Sequence, residues 1–149
     1  MRKRTATSRK FVLDTDHISV IEGPDVALRQ TLVARLEPHA DALFTTIISV
    51  EEQMRGWLAE IHRKNDPRQQ VRAYARLVRL LDFFGEWDVL RWDAQCGDRF
   101  WNLRRTGLRI GTQDLKIAAI TLAHDATLLT RNTADFAQVP GLKFGNWLD

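Results

Sequence analysis

Short apolar runs alternate along this chain with longer segments in which apolar residues recur at helical spacing. The short runs predict β-strands at residues 11–14, 43–48, 89–92, 126–130 and 142–144. The longer segments predict α-helices at residues 16–21, 24–36, 49–63, 67–84, 93–105 and 112–124. Strands that alternate with helices are typical of a parallel sheet covered on both faces. The pattern therefore predicts a single α/β domain whose central parallel β-sheet is flanked by helices on both faces.

Polar residues that favour helix capping stand at several of the predicted helix starts. The expected caps are Asp16, Ser49, Asp66 and Thr112. After Asp66 comes Pro67, and proline suits the first position of a helix. Ser49 and Glu52 have the spacing of a capping box, in which the third helical residue hydrogen-bonds back to the amide of the capping residue. These residues predict where four of the helices begin.

Four carboxylates lie close to the ends of predicted strands or at the start of a helix. They are Asp14 after the first strand, Glu52 after the second, Asp114 in the last helix and Asp135 after the fourth strand. In a parallel α/β sheet the carboxyl ends of the strands meet at one edge, where ligands bind. Carboxylates brought together there repel one another unless a hard cation such as Mg²⁺ or Mn²⁺ lies between them. Taken together, the four acids predict a metal site.

Two of these acids also have a purely structural explanation. Glu52 belongs to the predicted capping box. Asp114 falls in the first turn of a predicted helix, where the helix dipole stabilises an anion by about 0.3–1 kcal/mol. A helix start also favours phosphate groups, so the structural and the catalytic role are compatible.

Four segments of the chain resemble the PIN domain and, within it, the VapC-type toxins of bacterial toxin–antitoxin pairs. The matching segments are residues 13–16 (LDTD), 52–56 (EQMRG), 114–119 (DLKIAA) and 128–136 (LLTRNTADF). They occur in the order typical of the family, and the resemblance covers residues 11 to 147. It implies a metal-dependent ribonuclease with a parallel sheet, which is usually dimeric and is held inactive by a cognate antitoxin.

The resemblance also implies roles for individual side chains in hydrolysis assisted by Mg²⁺ or Mn²⁺. Asp14 and Asp114 are expected to bind metal directly. Glu52 is expected to bind metal or to position the attacking water, and Asp135 to bind a second metal ion or its waters. Asn132, which lies near Asp135, is expected to orient a ligand or the substrate.

Two further residues remain open candidates. Position 16 is Asp, where many relatives carry Asn or Ser. Asp16 is either a further ligand of metal or water, or the cap of the first helix, and we favour the cap. Arg109 lies just ahead of Asp114 in the sequence, which makes it a candidate for contacting a substrate phosphate.

Charge and composition limit the classes of protein to which the chain can belong. Its 149 residues suit one domain, and the single Cys96 excludes an internal disulfide framework or a multi-cysteine metal site. Residues 1–10 hold five basic side chains and no acid, whereas the remainder holds 17 basic and 19 acidic side chains. The basic character therefore belongs to an N-terminal tail, which is either a nucleic-acid-binding arm or, as we favour, a disordered terminus. Residues 11–149 would form the PIN-like domain.

Two other features are candidates for contacting RNA. The first is a basic stripe at helical spacing, formed by Arg68, Arg72, Arg76 and Arg79. The second is a set of tryptophans at positions 57, 87, 92, 101 and 147, since aromatic rings can stack on bases. A solvated helix face explains the first equally well, and most of the tryptophans are expected in the core or at interfaces.

Together with the four carboxylates, the resemblance thus implies a cytoplasmic, metal-dependent endoribonuclease that acts as the toxin of a type II toxin–antitoxin pair. The expected partners are an RNA substrate, a cognate antitoxin and a second copy of the chain, with no membrane association because no apolar stretch reaches transmembrane length. Two alternatives remain. One is a PIN nuclease in RNA processing without a toxin role, and the other is a catalytically silent module that binds RNA or a protein.

Overall fold

A computed structural model describes residues 9–149 and places five β-strands and seven α-helices in them. The strands are β1 (Phe11–Leu13), β2 (Leu43–Thr46), β3 (Asp88–Leu90), β4 (Thr127–Leu129) and β5 (Lys143–Gly145). The helices are α1 (Thr15–Glu22), α2 (Val26–Leu36), α3 (Ile47–His62), α4 (Val71–Gly85), α5 (Ala94–Arg104), α6 (Thr112–Ala123) and α7 (Thr133–Phe136). Two 3₁₀ helices, Glu37–Ala42 and Pro67–Gln70, precede β2 and α4. Residues 1–8, which form most of the predicted basic tail, lie outside the described residues.

The five strands form one parallel sheet in the order β3-β2-β1-β4-β5. From β1 the chain passes to β2 and β3 on one side, and it then returns to place β4 and β5 on the other side. Parallel neighbours require connections that cross back along the sheet, and here the helices provide them. The gap between β1 and β4 is therefore a topological switch point, and ligands bind at the carboxyl ends of the strands beside such a point.

Helices cover both faces of the sheet, as predicted. Val12 of β1 points into a core formed with α5 and α6, whereas its neighbours Phe11 and Leu13 point into a second core formed with α1, α2 and α4. This alternation follows from the twofold repeat of side chains along a strand. The first core encloses most of α6, whose buried residues are Leu115, Ile117, Ala118, Ala119, Ile120 and Thr121. Packing on so many sides fixes the position of the start of α6.

Helix α1 begins earlier than predicted, because Asp14 and not Asp16 is its cap. The Oδ1 atom of Asp14 accepts a hydrogen bond of 2.8 Å from the amide of Thr15. Asp16 lies inside the first turn, and its Oδ2 atom accepts a hydrogen bond of 2.9 Å from the amide of Arg131. The prediction that Asp16 caps the helix is therefore wrong. Asp and Thr at three consecutive positions are all good caps, so local preference could not choose between them.

Helix α3 also begins earlier than predicted, because its cap is Thr46 and not Ser49. The hydroxyl oxygen of Thr46 accepts a hydrogen bond of 3.2 Å from the amide of Ser49. The strand predicted at residues 43–48 accordingly ends at Thr46. The predicted capping box is wrong, and Glu52 lies in the second turn of the helix, where the hydroxyl of Thr15 donates to it at 2.6 Å.

The remaining two predicted caps have different outcomes. Asp66 is a cap, since its Oδ1 atom accepts a hydrogen bond of 3.0 Å from the amide of Arg68, and Pro67 begins the 3₁₀ helix that leads into α4. Thr112 is not a cap, because it is already the first residue of α6 and the capping position is Gly111. Asp114 does lie in the first turn of α6, as predicted. Across residues 9–149, the helices lack the length and apolar character needed to cross a bilayer.

The cap of α3 can be tested by removing the acceptor at position 46 while keeping its shape. We expect Thr46→Val to lower the free energy of unfolding by about 1 kcal/mol, the usual cost of losing a capping oxygen. Thr46→Ser keeps the oxygen and should lose less. Urea denaturation followed by circular dichroism measures both values. A larger loss in Ser49→Ala than in Thr46→Val would contradict this assignment.

Candidate active site

The carboxylate of Asp14 lies at the switch point of the sheet, between the ends of β1 and β4. It is buried, with 6% of the residue exposed. While Oδ1 caps α1, Oδ2 accepts a hydrogen bond of 2.8 Å from the hydroxyl of Thr130, the residue after β4. The amide of Asp14 also donates to the carbonyl of Leu129 at 2.9 Å. These contacts hold the carboxylate in one orientation.

Asp16 joins the same edge from the first turn of α1. The ring of His17 is fully buried, and its Nδ1 atom lies 2.5 Å from Oδ1 of Asp16. Nε2 of His17 accepts a hydrogen bond of 3.2 Å from the amide of Trp147, so the ring proton is assigned to Nδ1 and is donated to Asp16. The amide of Arg131 and the hydroxyl of Thr130 lie 2.9 Å and 3.4 Å from Oδ2 of Asp16. Asp16 thereby links α1 to the segment after β4 and, through His17, to the C-terminal segment.

Asn132 brings two further acids together. Its Nδ2 atom donates to Oδ2 of Asp114 at 3.1 Å and to Oδ2 of Asp135 at 2.9 Å. Asp114 comes from the first turn of α6 and Asp135 from the short helix α7. The side-chain amide of Asn132 therefore joins carboxylates from two different helices. Asp114 is 18 residues from Asn132 in the sequence, and Asp135 is 3 residues from it.

Glu52 reaches the site from α3 and is held through Thr15, whose hydroxyl donates to Oε2 at 2.6 Å. Because the amide of Thr15 also donates to Asp14, this one residue contacts both carboxylates. The preceding residue, Glu51, points elsewhere and accepts a hydrogen bond of 2.7 Å from Gln113 of α6. Glu52 therefore lies beside Asp14, and Glu51 connects α3 to α6.

The acids of this edge act on one another electrostatically. Burial, followed by the negative charge of Asp16, raises the pKa of Asp14 to about 7, although hydrogen bonds from Thr130 and Thr15 oppose the rise. The negative charge of Asp114 adds to it. An ordinary Asp has a pKa of 3.8, so in the absence of a cation Asp14 holds its proton far more tightly than a solvated carboxyl group.

Asp114 and Asp16 respond to the same surroundings in opposite directions. Burial raises the pKa of Asp114, and the charges of Asp135 and Asp16 raise it further against the hydrogen bond from Asn132. Burial alone would also raise the pKa of Asp16, but its hydrogen bonds with His17 and the amide of Arg131 lower it below the ordinary value. We refer to Asp14, Asp16, Asp114 and Asp135 as the acid cluster.

A sequence model of the PIN domain matches residues 11–142 of this chain. That stretch includes every strand except β5 and every member of the acid cluster. The chain belongs to the PIN domain family. The resemblance found in the four sequence segments is therefore confirmed at the level of the family.

The chain is also similar to individual proteins of known name or structure. Ribonuclease VapC2 of Rickettsia felis is 35% identical over 69 residues, which is 44% of this chain and 52% of the relative. The match therefore spans about half the length of that curated relative. Among solved structures, this PIN domain is similar to VapBC2 from Rickettsia felis bound to a promoter DNA fragment, with a TM-score of 0.67, 24% identity, and coverage of 92% of this chain and 98% of the other. It is also similar to DNA-bound VapBC from Salmonella typhimurium, with a TM-score of 0.69, 21% identity, and coverage of 93% and 98%.

The donors of this PIN domain fit a hard divalent cation. Within residues 9–149 no three Asp, Glu, His or Cys side chains form a ready-made ligand set. Mg²⁺ does not require one, since it is commonly held by one or two carboxylates while waters and substrate phosphate complete the octahedron. Asp14 and Asp114 are oxygen donors that repel each other, and a cation near them would remove that repulsion. Asp14, Asp114 and, beside them, Asp135 and Glu52 are thus the residues that could hold metal.

The structure places most of the predicted site residues at one edge of the sheet. Asp14, Asp114 and Asp135 belong to the acid cluster, Asn132 bridges two of its members, and Glu52 lies next to it through Thr15. Asp16, expected to act as a cap, is a member of the cluster instead. Arg109 is exposed in the loop before α6, and in the described part of the chain it forms no ion pair with these acids. Its contact with a phosphate remains a prediction.

Three residues that orient the acids were not predicted. Thr130 and Thr15 donate hydroxyl groups to Asp14 and Glu52, and His17 fixes Asp16. Thr15 and Thr130 both lie within segments that match the family, but threonine after a strand is too common to signal a role. His17 directly follows the matching segment 13–16 in the sequence. Its place next to Asp16 is the only sequence feature that could have indicated the contact between the two side chains.

The raised pKa of Asp14 predicts a pH-dependent gain of stability in Asp14→Asn. Asn keeps an acceptor for the amide of Thr15 and removes the charge. The folded state binds the proton of Asp14 more tightly than the unfolded state, so between about pH 4 and pH 7 this group makes the metal-free protein less stable as pH rises. In EDTA at about pH 8, Asp14→Asn should therefore melt at a higher temperature than the wild type, and the difference should shrink towards pH 4.

Differential scanning calorimetry at the two pH values measures this effect. The matched control is Asp88→Asn, because Asp88 is exposed and begins β3 at the opposite edge of the sheet. It should show no comparable gain at high pH. If Asp14→Asn melts at or below the wild-type temperature at pH 8 without metal, the negative charge of Asp14 does not destabilise the fold, and the raised pKa is contradicted.

Proposed function

We propose that this PIN domain is a metal-dependent endoribonuclease and the toxin component of a type II, VapBC-like toxin–antitoxin pair. The observation that carries the proposal is the acid cluster at the switch point of the sheet. It combines a buried carboxylate with neighbours that raise its pKa, at the edge where open α/β sheets bind ligands. Hydrolysis of a phosphodiester can use such a site without any nucleophilic side chain.

The positions of the individual residues at this edge of the sheet support a proposed role for each. When bound, Mg²⁺ or Mn²⁺ supplies the Lewis acidity that makes water nucleophilic near neutral pH and stabilises the leaving oxygen. Asp14 and Asp114 would hold the ion directly, and Asp135 would hold a second ion or its waters. Glu52 would ligate metal or position the attacking water. Asn132 fixes the carboxylates of Asp114 and Asp135 relative to each other.

Asp16 is a member of the acid cluster, and it does not cap helix α1. Both of its carboxylate oxygens already accept hydrogen bonds, from the ring of His17 on one side and the amide of Arg131 on the other. Its charge adds to the negative potential at Asp14 and Asp114. We therefore assign Asp16 to orienting the site and its waters.

The choice of RNA as substrate is supported by the relative from Rickettsia felis, which is named a ribonuclease. The choice of a protein partner is supported by similar solved structures, which include those of VapBC and a toxin–antitoxin complex from Klebsiella pneumoniae. An RNA substrate also fits a cytoplasmic location, which we include in the proposal.

A groove beside α3 and α4 fits an antitoxin segment. A cleft of about 640 Å³ lies between the end of α1, α3 and α4, and Trp57 of α3 lines it with Arg76 of α4 at 5.6 Å from the centre of its ring. A smaller cleft of about 310 Å³ contains Thr15 and Glu52, and both clefts share Gln53 and Trp57. An amphipathic segment anchored on Trp57 would therefore reach Glu52, where a basic side chain could take the place of metal.

A second copy of the chain is the other proposed partner. Four apolar side chains of α4 are exposed and recur along one face, at Val71, Tyr74, Val78 and Leu81. Their exposed fractions range from 52% to 66%, which is unusual for a monomer and typical of a protein interface. The stripe supports self-association, and sedimentation of the purified chain measures it.

The first test of this function removes one proposed ligand. We expect Asp114→Asn to lower metal-dependent cleavage of a labelled RNA by more than about 100-fold, since losing even an outer-sphere partner of a metal ligand costs roughly 10- to 100-fold. The free energy of unfolding should change by no more than about 1 kcal/mol, because Asp114 is a first-turn residue. Mn²⁺ should raise the melting temperature of the wild type by mass action and do so much less in the variant.

Asp88→Asn is again the control and should cleave RNA at the wild-type rate. A pure Asp114→Asn protein that still cuts RNA at nearly that rate would overturn the assignment. A wild-type protein that binds RNA but shows no cleavage with either metal would favour the silent-module alternative.

The toxin role predicts growth arrest on induced expression in the absence of the neighbouring antitoxin gene. Asp14→Ala should relieve the arrest, because it removes a proposed ligand, and the variant should accumulate as soluble protein. Asp88→Ala should remain toxic. Growth curves and quantitative blotting of the three proteins provide the measurement. Harmless accumulation of the wild-type chain in its own host, with the neighbouring gene deleted, would support the RNA-processing alternative.

A further inference from the structure

A third cleft, with aromatic walls, lies between α5, α6 and the segment after β3. It encloses about 440 Å³. The residues that line it include Trp92, Gly97, Phe100, Trp101, Arg104 and Lys116. We refer to it as the aromatic cleft. None of the roles assigned to the acid cluster uses any of these side chains.

Trp101 gives the cleft an aromatic surface open to solvent. It is 59% exposed, which is high for the largest apolar side chain. Its ring meets the buried ring of Phe100 edge-on, with centroids 5.3 Å apart and planes at 86°, and Phe100 meets Trp92 in the same way at 6.2 Å and 80°. Because the rings pack edge-on, Phe100 holds the two tryptophans in place without stacking face to face on either indole ring.

The charges around the cleft suit an anion. Nζ of Lys116 lies 5.9 Å from the ring centroid of Trp92, and the guanidinium of Arg104 lies 5.4 Å from that of Phe100. Arg104 also donates to the carbonyls of Leu108 and Ile110 at 3.2 Å and 3.0 Å, which holds it in place. Among the described residues that line the cleft, none carries a carboxylate. Aromatic rings combined with cations are the chemistry that recognises a nucleotide in a single strand.

Gly97 keeps space in the cleft open. Glycine inside a helix costs about 1 kcal/mol relative to alanine. A Cβ atom at position 97 would meet no other atom within 4 Å, so close packing does not require glycine there. A larger side chain would extend into the cleft without displacing the backbone.

The aromatic cleft and the acid cluster both lie at the start of α6, on opposite faces of the helix. Thr112 and Lys116 line the cleft, and Asp114 lies between them in the sequence. Trp92 follows β3 at the carboxyl edge of the sheet, the edge at which Asp14 follows β1. A strand with one phosphate at the acid cluster would reach the cleft with its neighbouring nucleotides by passing around the start of α6.

We propose that the aromatic cleft binds an unpaired nucleobase of the RNA strand whose phosphate lies at the acid cluster. Trp101 stacks on the base, while Lys116 and Arg104 face the adjacent phosphates. The inference rests on the proposed ribonuclease function and specifies how that site engages its substrate. It implies a preference for single-stranded over double-stranded RNA, because paired bases cannot enter the cleft.

The test measures binding of a fluorescein-labelled single-stranded oligouridylate by fluorescence anisotropy in EDTA, where cleavage is prevented. Trp101→Ala should weaken binding by about 5- to 100-fold, the range for loss of one base–aromatic stack. Trp101→Phe should retain most of the affinity. The wild type should bind an oligomer with abasic nucleotides more weakly than oligouridylate, and Trp101→Ala should lose this preference. Because Trp101 is uncharged, the salt dependence should not change.

Gly97 offers an independent test that leaves the aromatic rings intact. Gly97→Leu should fill the cleft and weaken binding of oligouridylate as strongly as Trp101→Ala does. Gly97→Ala is the matched control and should bind like the wild type while melting at a higher temperature, because alanine favours the helix. Val33→Ala truncates an exposed apolar side chain of α2, away from the cleft, and should leave binding unchanged.

The outcomes separate this inference from the proposed function. Suppose that the wild type cleaves RNA with metal and that Trp101→Ala and Gly97→Leu both bind RNA with wild-type affinity. This result would overturn base binding by the aromatic cleft and would leave the proposed ribonuclease function intact. A dimer that dissociates in Trp101→Ala with unchanged RNA affinity would assign the cleft to a second copy of the chain and also overturn the inference. A wild type that neither binds nor cleaves RNA would overturn both.

Discussion

The repulsion among carboxylates at the switch point of the sheet is the constraint on which the rest of the site depends. Neutral groups hold these acids: the hydroxyl of Thr130 for Asp14, the side-chain amide of Asn132 for Asp114 and Asp135. In residues 9–149, no Lys or Arg forms an ion pair with them. Neutral donors orient a carboxylate without cancelling its charge. The negative potential therefore remains available to a cation, while the geometry is already fixed.

The fold and the membership of the acid cluster could largely be predicted from the sequence, because both depend on patterns that act along the whole chain. Alternation of strands and helices determines a parallel sheet, and a parallel sheet brings Asp14 and the residues after β4 to one edge. Asp114 was expected near this edge from its place at a helix start and Asp135 from its place after a strand, and Asn132 joins the two there. Helix starts were harder, since Asp14, Thr15 and Asp16 are equally suited to capping and only the end of β1 decides between them.

The supporting contacts could not be predicted, because they join residues far apart in the sequence. Thr130 and Asp14 are 116 residues apart, and the amide of Trp147 that fixes the ring of His17 is 130 residues away. The residue types of Thr130 and His17 do not indicate such contacts, since threonine is common in strands and a buried histidine is more often structural than catalytic. The error at Asp16 has the same origin. Its partners, the amide of Arg131 and the ring of His17, decide its role, and only the folded chain brings Arg131 to it.

The two oxygens of the Asp14 carboxylate have different partners, and only one of them is used to cap a helix. Oδ1 caps α1 through the amide of Thr15, a contact that asparagine would also make, whereas the charge and Oδ2 face the cluster. Burial of the charge costs stability that the cap and the hydrogen bond from Thr130 only partly offset, since the pKa still rises to about 7. A bound cation would supply the remaining compensation. In the metal-free protein this cost remains, and a cation that bound at the site would stabilise the fold by mass action.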